Sequence, residues 1–187
     1  MDRRPKRVFI GIPAGEDLIA QVMEFRKRHA GLRLRWTRPE NLHLTLVPPW
    51  ESENPGSICS ILEETASGYQ AADAAFTMVK PGPVPSRPRL VWAIGKASSF
   101  FPALRDELSA RVPLVPVEHR PFLLHLTIAR VRHEDEHDLA RMKLEEPVSW
   151  AATFRRLCLY ESILKPSGAE YRILCEAPFG QKNDGLQ

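Results

Sequence analysis

Two short stretches of this 187-residue chain echo each other and narrow its possible folds more than any other feature. One reads Asn41-Leu42-His43-Leu44-Thr45-Leu46-Val47, the other Leu123-Leu124-His125-Leu126-Thr127-Ile128-Ala129. Each is apolar at every second position with His and Thr in the gaps, the pattern of a half-buried β-strand. On a strand, residues two apart face the same way, about 7 Å apart along the axis. His43 and Thr45 therefore share one face, and Leu42, Leu44 and Leu46 take the other. His125 and Thr127 stand in the same way opposite Leu124, Leu126 and Ile128. An imidazole and a hydroxyl are thus presented twice, and this repeat is the candidate site.

Two imidazoles facing each other across a cleft would flank one bound group. With an unperturbed pKa near 6.5, one ring can be neutral and the other protonated near neutral pH. A base and an acid on opposite sides of a phosphorus suit in-line displacement, with one ring activating water and the other protonating the leaving oxygen. The Thr hydroxyls can hydrogen-bond the non-bridging oxygens. Such an arrangement requires no metal and no cofactor. A lone His-x-Thr strand is more often ordinary sheet. Two nearly identical ones, 82 positions apart in a chain with six histidines, are harder to dismiss.

Composition adds broad bounds. With 43% hydrophobic and 26% charged residues, the chain reads as a soluble globular protein long enough to bury a core. A net charge of +3 permits a nucleic-acid or phosphate ligand without demanding one. Cys59, Cys158 and Cys175 form no CxxC pair, and Cys158 and Cys175 sit in apolar runs. The expectation is free thiols and a reducing cytoplasm. No apolar run is long enough to span a bilayer, and residues 8–13 are too short for a signal core.

Along the chain, the pattern predicts strands at 7–12, 74–80, 90–95 and 171–176, besides the two His/Thr strands. It also predicts helices at 16–29, 55–67, 99–111 and 134–144. Pro48-Pro49 is expected to end the first His/Thr strand, and Pro113-Leu114-Val115-Pro116 to break the third helix. Residues 148–163 read as one long β-rich run. Pro81-Gly82-Pro83-Val84-Pro85-Ser86-Arg87-Pro88 is the strongest punctuation. The expectation is one bilobal domain over 1–180, with halves meeting near 81–88, and a polar tail at 181–187.

The residues around the motifs carry a resemblance. Arg7-Val8-Phe9-Ile10-Gly11-Ile12, Trp36 through Thr45, Pro88-Arg89-Leu90-Val91-Trp92, Phe122 through Arg130, Leu159-Tyr160-Glu161-Ser162 and Tyr171-Arg172-Ile173-Leu174 follow in order. Together they resemble the 2H phosphoesterase superfamily, specifically the bacterial and archaeal RNA 2′,3′-cyclic phosphodiesterases also called 2′-5′ RNA ligases. The resemblance implies an α+β, two-lobed, pseudo-symmetric fold, its antiparallel sheets facing across a central cleft with helices outside. It also implies hydrolysis of RNA 2′,3′-cyclic phosphate ends to 2′-phosphomonoesters. His43 would be the proton donor, His125 the general base, and Thr45 and Thr127 the phosphate holders. The partner implied is RNA or an oligonucleotide, the default state a monomer. Alternatives are 2′-5′ RNA ligation, a small cyclic-nucleotide phosphodiesterase, or a non-catalytic RNA-binding module. Two departures stand out: Val47-Pro48-Pro49-Trp50 replaces the family's usual Lys/Arg-Phe-Leu-Gly type run, and Leu124 replaces a common Pro.

Further residues are weighed beside these. Arg130 faces away from His125 by strict strand parity and reaches the cleft only if the strand ends or bulges there. Arg120 is a weaker substrate-binding candidate. Trp36 is a candidate for stacking on a base and equally for packing. Arg26-Lys27-Arg28 with Arg33, Arg35 and Arg38 make a basic neighbourhood near the first motif. His133-Glu134-Asp135-Glu136-His137 matches a His-x-x-Glu-His zinc pattern, but its charge favours a solvated helix start.

Overall fold

The computed structural model describes residues 4–112, 121–142, 144–165 and 168–180. In chain order the elements are β1 (Lys6–Pro13), α1 (Glu16–Arg28), β2 (Leu34–Trp36), β3 (His43–Ser52), α2 (Pro55–Ser67), β4 (Ala72–Gly82), β5 (Leu90–Gly95), α3 (Phe100–Arg111), β6 (Leu124–Val131), α4 (Glu136–Met142), β7 (Glu146–Phe154), β8 (Arg156–Lys165) and β9 (Gly168–Pro178). The local reasons are legible. In α1, Leu18, Val22 and Phe25 recur on one buried stripe. Glu16 and Asp17 open that helix and Arg26, Lys27 and Arg28 close it, in the sense its dipole favours. Asn54 caps α2 through its side chain, with Pro55 in the first turn.

The strands form two antiparallel sheets with the orders β3-β1-β8-β9 and β2-β6-β5-β4-β7. In the first, β3 pairs with β1 and two more strands follow on the far side. In the second, β6 pairs with β5 and again two more strands follow, while the short β2 is added outside β6. The α+β architecture with two opposed sheets is therefore present. In β3, Leu44, Leu46 and Val47 are buried; in β6, Leu124, Leu126, Ile128 and Ala129 are. Both sets join one continuous core with Leu18, Val22 and Phe25 of α1 and Phe101, Leu104 and Leu108 of α3. A small second cluster of Phe9, Cys158 and Tyr160, with Tyr171 against it, lies apart from that core. β1 is thus buried on both sides: Val8, Ile10 and Ile12 in the main core, Phe9 in the small one.

Several expectations need correction. Pro48-Pro49 does not end β3, which continues to Ser52. β3 is an edge strand, where a missing N–H costs no ladder bond on the outer side. On the inner side the register jumps from Ile10↔Val47 to Val8↔Trp50, so both prolines face the single residue Phe9 in a bulge. The run at 148–163 is two strands divided at Arg155: β7 is the edge of one sheet and β8 lies inside the other. Residues 83–89 join β4 to β5, which pair within one sheet, so the sequence positions 81–88 fall at a hairpin. The charged segment after β6 is a single 3-10 turn, His133–Asp135, followed by the short α4. The break expected at 113–116 lies outside the described residues.

The cysteine expectation is overturned. Cys59 and Cys175, 116 positions apart in the sequence, form a disulfide with Cα atoms 6.0 Å apart. The packing of α2 on β9 brings them together. Cys158 remains a buried free thiol, as its apolar run implied. With two of its three cysteines paired, the chain no longer implies a reducing compartment. Among the described residues, no helix is long and apolar enough to cross a membrane.

Candidate active site

The two motif strands share a backbone device beyond the His-x-Thr spacing. In the β1–β3 pair, Gly11 faces Thr45 and Ile10 faces Val47, leaving Leu46 without a partner. In the β5–β6 pair, Trp92 faces Thr127 and Val91 faces Ala129, leaving Ile128 without a partner. Each strand therefore bulges at the residue after its Thr. Such a bulge places two residues against one and shifts the alternation beyond it. Burial records the shift: Leu46 and Val47 are both buried, and so are Ile128 and Ala129. The condition set for Arg130 is met, and its side chain joins the cleft wall.

The cleft is a cavity of about 410 Å³ lined from one sheet by His43, Thr45, Phe9 and Tyr171, and from the other by Thr127, Arg130 and Trp36. β3 and β6 come into contact across it. His125 lies one strand repeat beyond Thr127 on the same face, outside the cavity wall itself. It is still close enough for its charge to act on His43. Trp36 both lines the cleft and packs edge-on against Phe25, with ring centroids 6.3 Å apart. Thr37 donates its hydroxyl to the Thr127 carbonyl at 3.0 Å and ties the end of β2 to the second motif. Arg120 lies outside the described residues.

The two rings are oriented alike. His43 Nδ1 lies 2.7 Å from the Asn41 carbonyl oxygen, and His125 Nδ1 lies 3.0 Å from that of Leu123. A carbonyl can only accept, so each bond requires the proton on Nδ1. In the neutral ring, Nε2 then carries the free lone pair. Each motif thus supplies the same tautomer from the backbone carbonyl two residues earlier.

Their surroundings differ. His43 sits among Phe9, Tyr160 and Tyr171, with ring centroids at 4.9, 5.6 and 5.3 Å. Burial lowers its pKa to about 4; the Asn41 carbonyl partly opposes this, and the charges of His125 and Arg130 add to it. Gly11 makes the close packing possible, since a Cβ there would lie 2.7 Å from the Leu44 carbonyl and 3.3 Å from the His43 ring. His125 instead leans on one indole, that of Trp92, at 4.7 Å. Trp92 in turn lies over Gly82, where a Cβ would come within 2.6 Å of the indole.

Reading the sequence alone missed the aromatic wall around His43 and the indole beneath His125. Phe9 and Trp92 sit on the strands that flank the motifs, and their register opposite Pro48-Pro49 and Thr127 exists only once the strands pair. Lys165 and Glu170, also unpredicted, line the cleft and pair with each other at the start of the β8–β9 hairpin. His133 and His137 do not reach the cleft. His133 bonds Glu136 through Nδ1 at 3.1 Å, a contact that, ahead of one from Arg87, holds that carboxylate below its usual range. Among the described residues, no three His, Cys, Asp or Glu side chains group so as to hold a metal ion.

This architecture has known counterparts. Over 184 residues the chain is 27% identical to an RNA 2′,3′-cyclic phosphodiesterase of Thermotoga maritima, covering 92% of this chain and 95% of that protein. Its fold superposes on that of TT0787 of Thermus thermophilus with a TM-score of 0.78 at 21% identity, covering 94% and 99% of the two chains. It also superposes on E. coli LigT complexed with 3′-AMP, with a TM-score of 0.68 at 22% identity over 94% and 98%. Residues 15–165 match the 2′-5′ RNA ligase superfamily, so the chain belongs to that superfamily of 2H phosphoesterases.

Proposed function

We propose that the protein hydrolyses 2′,3′-cyclic phosphate at RNA ends to a 2′-phosphomonoester by acid–base catalysis between His43 and His125. The observation that carries this reading is the pair of histidines on twin bulged strands, each held by a backbone carbonyl in the tautomer that leaves Nε2 free. The relative named an RNA 2′,3′-cyclic phosphodiesterase and the LigT complex with 3′-AMP support the substrate class. His125 takes a proton from water as it attacks phosphorus, and His43 protonates the departing 3′ oxygen. Thr45, Thr127 and Arg130 hold the non-bridging oxygens, where charge grows in the transition state. Side chains supply both proton transfers, so the reaction runs without metal.

Burial leaves His43 neutral at physiological pH. As proton donor it must take up a proton when anionic phosphate enters and offsets the charge of Arg130. The same burial favours a second reading in which the roles are exchanged, with His43 the base and His125 the acid. A cyclic substrate with sulfur at the leaving bridge separates the two, because a thiolate departs without protonation. Whichever of His43→Ala and His125→Ala recovers turnover on the sulfur substrate has lost the acid.

The primary test is hydrolysis of an RNA oligonucleotide ending in 2′,3′-cyclic phosphate, in EDTA, with the product isomer assigned. Wild type is expected to yield a 2′-phosphate and both alanine variants to lose turnover. No turnover by wild type, with binding retained, would make the cleft a phosphate clamp. Turnover surviving both substitutions would end the two-histidine mechanism.

A further inference from the structure

A second cavity opens beside the cleft. It has a volume of about 1280 Å³ against about 410 Å³ for the cleft, and Arg35 and Arg130 line both. The cleft has the size of a small-molecule site, while the basin exceeds one. The basin is strongly basic: Arg87, Arg89 and Arg132 join the two shared arginines, against Glu134 and Glu136. That excess of three positive charges equals the formal net charge of the whole chain, so the basicity is concentrated here.

The register makes this clustering costly. Arg35 of β2 stands directly opposite Arg130 of β6, and like charges in that position repel. The Arg89 carbonyl accepts the Val131 N–H at 3.0 Å, which fixes a third arginine beside the same strand end. Among the described residues, neither Arg89 nor Arg130 has a carboxylate partner. A run of arginines leading out of the cleft is relieved by a ligand with regularly spaced negative charges.

We propose that the basin is the path of the RNA strand leading away from the reacting 3′ end. Arg35 and Arg130 hold the phosphate at the junction with the cleft, and Arg89 and Arg132 hold phosphates further along the strand. The protein is then built for the ends of single-stranded RNA rather than for free cyclic nucleotides. This rests on the reading of the cleft given above, and the test separates the two.

The decisive variant is Arg89→Ala with Arg132→Ala. Both side chains are exposed, so the fold does not depend on them. Binding of a fluorescent single-stranded RNA ending in 2′-phosphate is titrated by anisotropy at several salt concentrations. Turnover is compared on the cyclic-ended RNA and on 2′,3′-cyclic AMP. The double variant is expected to bind the RNA on the order of tenfold more weakly, with the salt slope reduced by about 1.4 for two lost phosphate contacts. Turnover of 2′,3′-cyclic AMP is expected to match wild type. Arg89→Lys with Arg132→Lys keeps the charges and is expected to keep the slope. Unchanged RNA affinity and slope in the alanine variant, or equal kcat/KM of wild type on both substrates, would overturn the basin. If wild type turns over neither substrate, the proposed reaction fails, while the anisotropy titration still decides the basin.

Discussion

The His43 and His125 strands are built alike and furnished differently. Both bulge after the Thr, and both fix the imidazole through Nδ1 to the carbonyl two residues back. Opposite the Thr, however, one strand has Gly11 and the other Trp92. With no side chain at Gly11, the ring of His43 sinks among three aromatics. With an indole at the matching place, His125 is propped up instead. Three residues beyond the Thr, the first strand has Pro48 and the second Arg130. A duplicated backbone thus sets positions, and the residues around it set charge and water access, so two identical groups acquire different surroundings and His43 is desolvated.

Four experiments press on that contrast. The largest effect is expected from His43→Ala and His125→Ala, each lowering kcat on cyclic-ended RNA by about a hundred- to ten-thousandfold. A loss in only one would break the pairing of the motifs. Next is stability against pH. The folded His43 pKa of about 4 lies below the unfolded value of 6.5, so the unfolded state binds the proton first as pH falls. This contribution is fully present above about pH 6.5 and is lost toward pH 4, up to about 3 kcal/mol. Denaturant unfolding of wild type and His43→Gln at pH 7 and pH 4.5 measures it, and equal pH dependence would mean that His43 is not desolvated.

Arg130→Ala is expected to lower kcat about a hundredfold, as for removal of one donor to a developing oxyanion, with no loss of stability, since it relieves the repulsion with Arg35. Full activity would mean that the second bulge has no catalytic use. The smallest effect is expected from Gly11→Ala. Its Cβ meets the backbone carbonyl of Leu44, which cannot swing away as a flexible side chain would. A loss of about 1–3 kcal/mol in chemical denaturation follows, and an unchanged midpoint would show that the His43 packing has slack.

Much of this was readable in the residues. The His/Thr alternation named both motif strands and their buried leucines, and Asn54-Pro55 announced α2 to the residue. The fate of Arg130 was readable only as a condition. Its position by parity is wrong for the cleft, and the bulge at Ile128 that corrects it follows from the register with β5. Pro48-Pro49 looked like a stop because a proline removes a donor, yet on an edge strand that donor is not needed.

The sequence by itself determined the two polar pairs, their core faces and helices such as α2, because these depend on spacing within one segment. Only the tertiary structure decided which elements meet. It joined Cys59 to Cys175 across 116 positions and split one β-rich run between two sheets. It also placed Arg35 against Arg130 and packed Phe9, Tyr160 and Tyr171 around His43. The physical reason is range. Alternation and capping act between neighbours in the chain, whereas desolvation, charge crowding and bulge register arise between strands far apart in sequence. These long-range effects are what make the two histidines unequal.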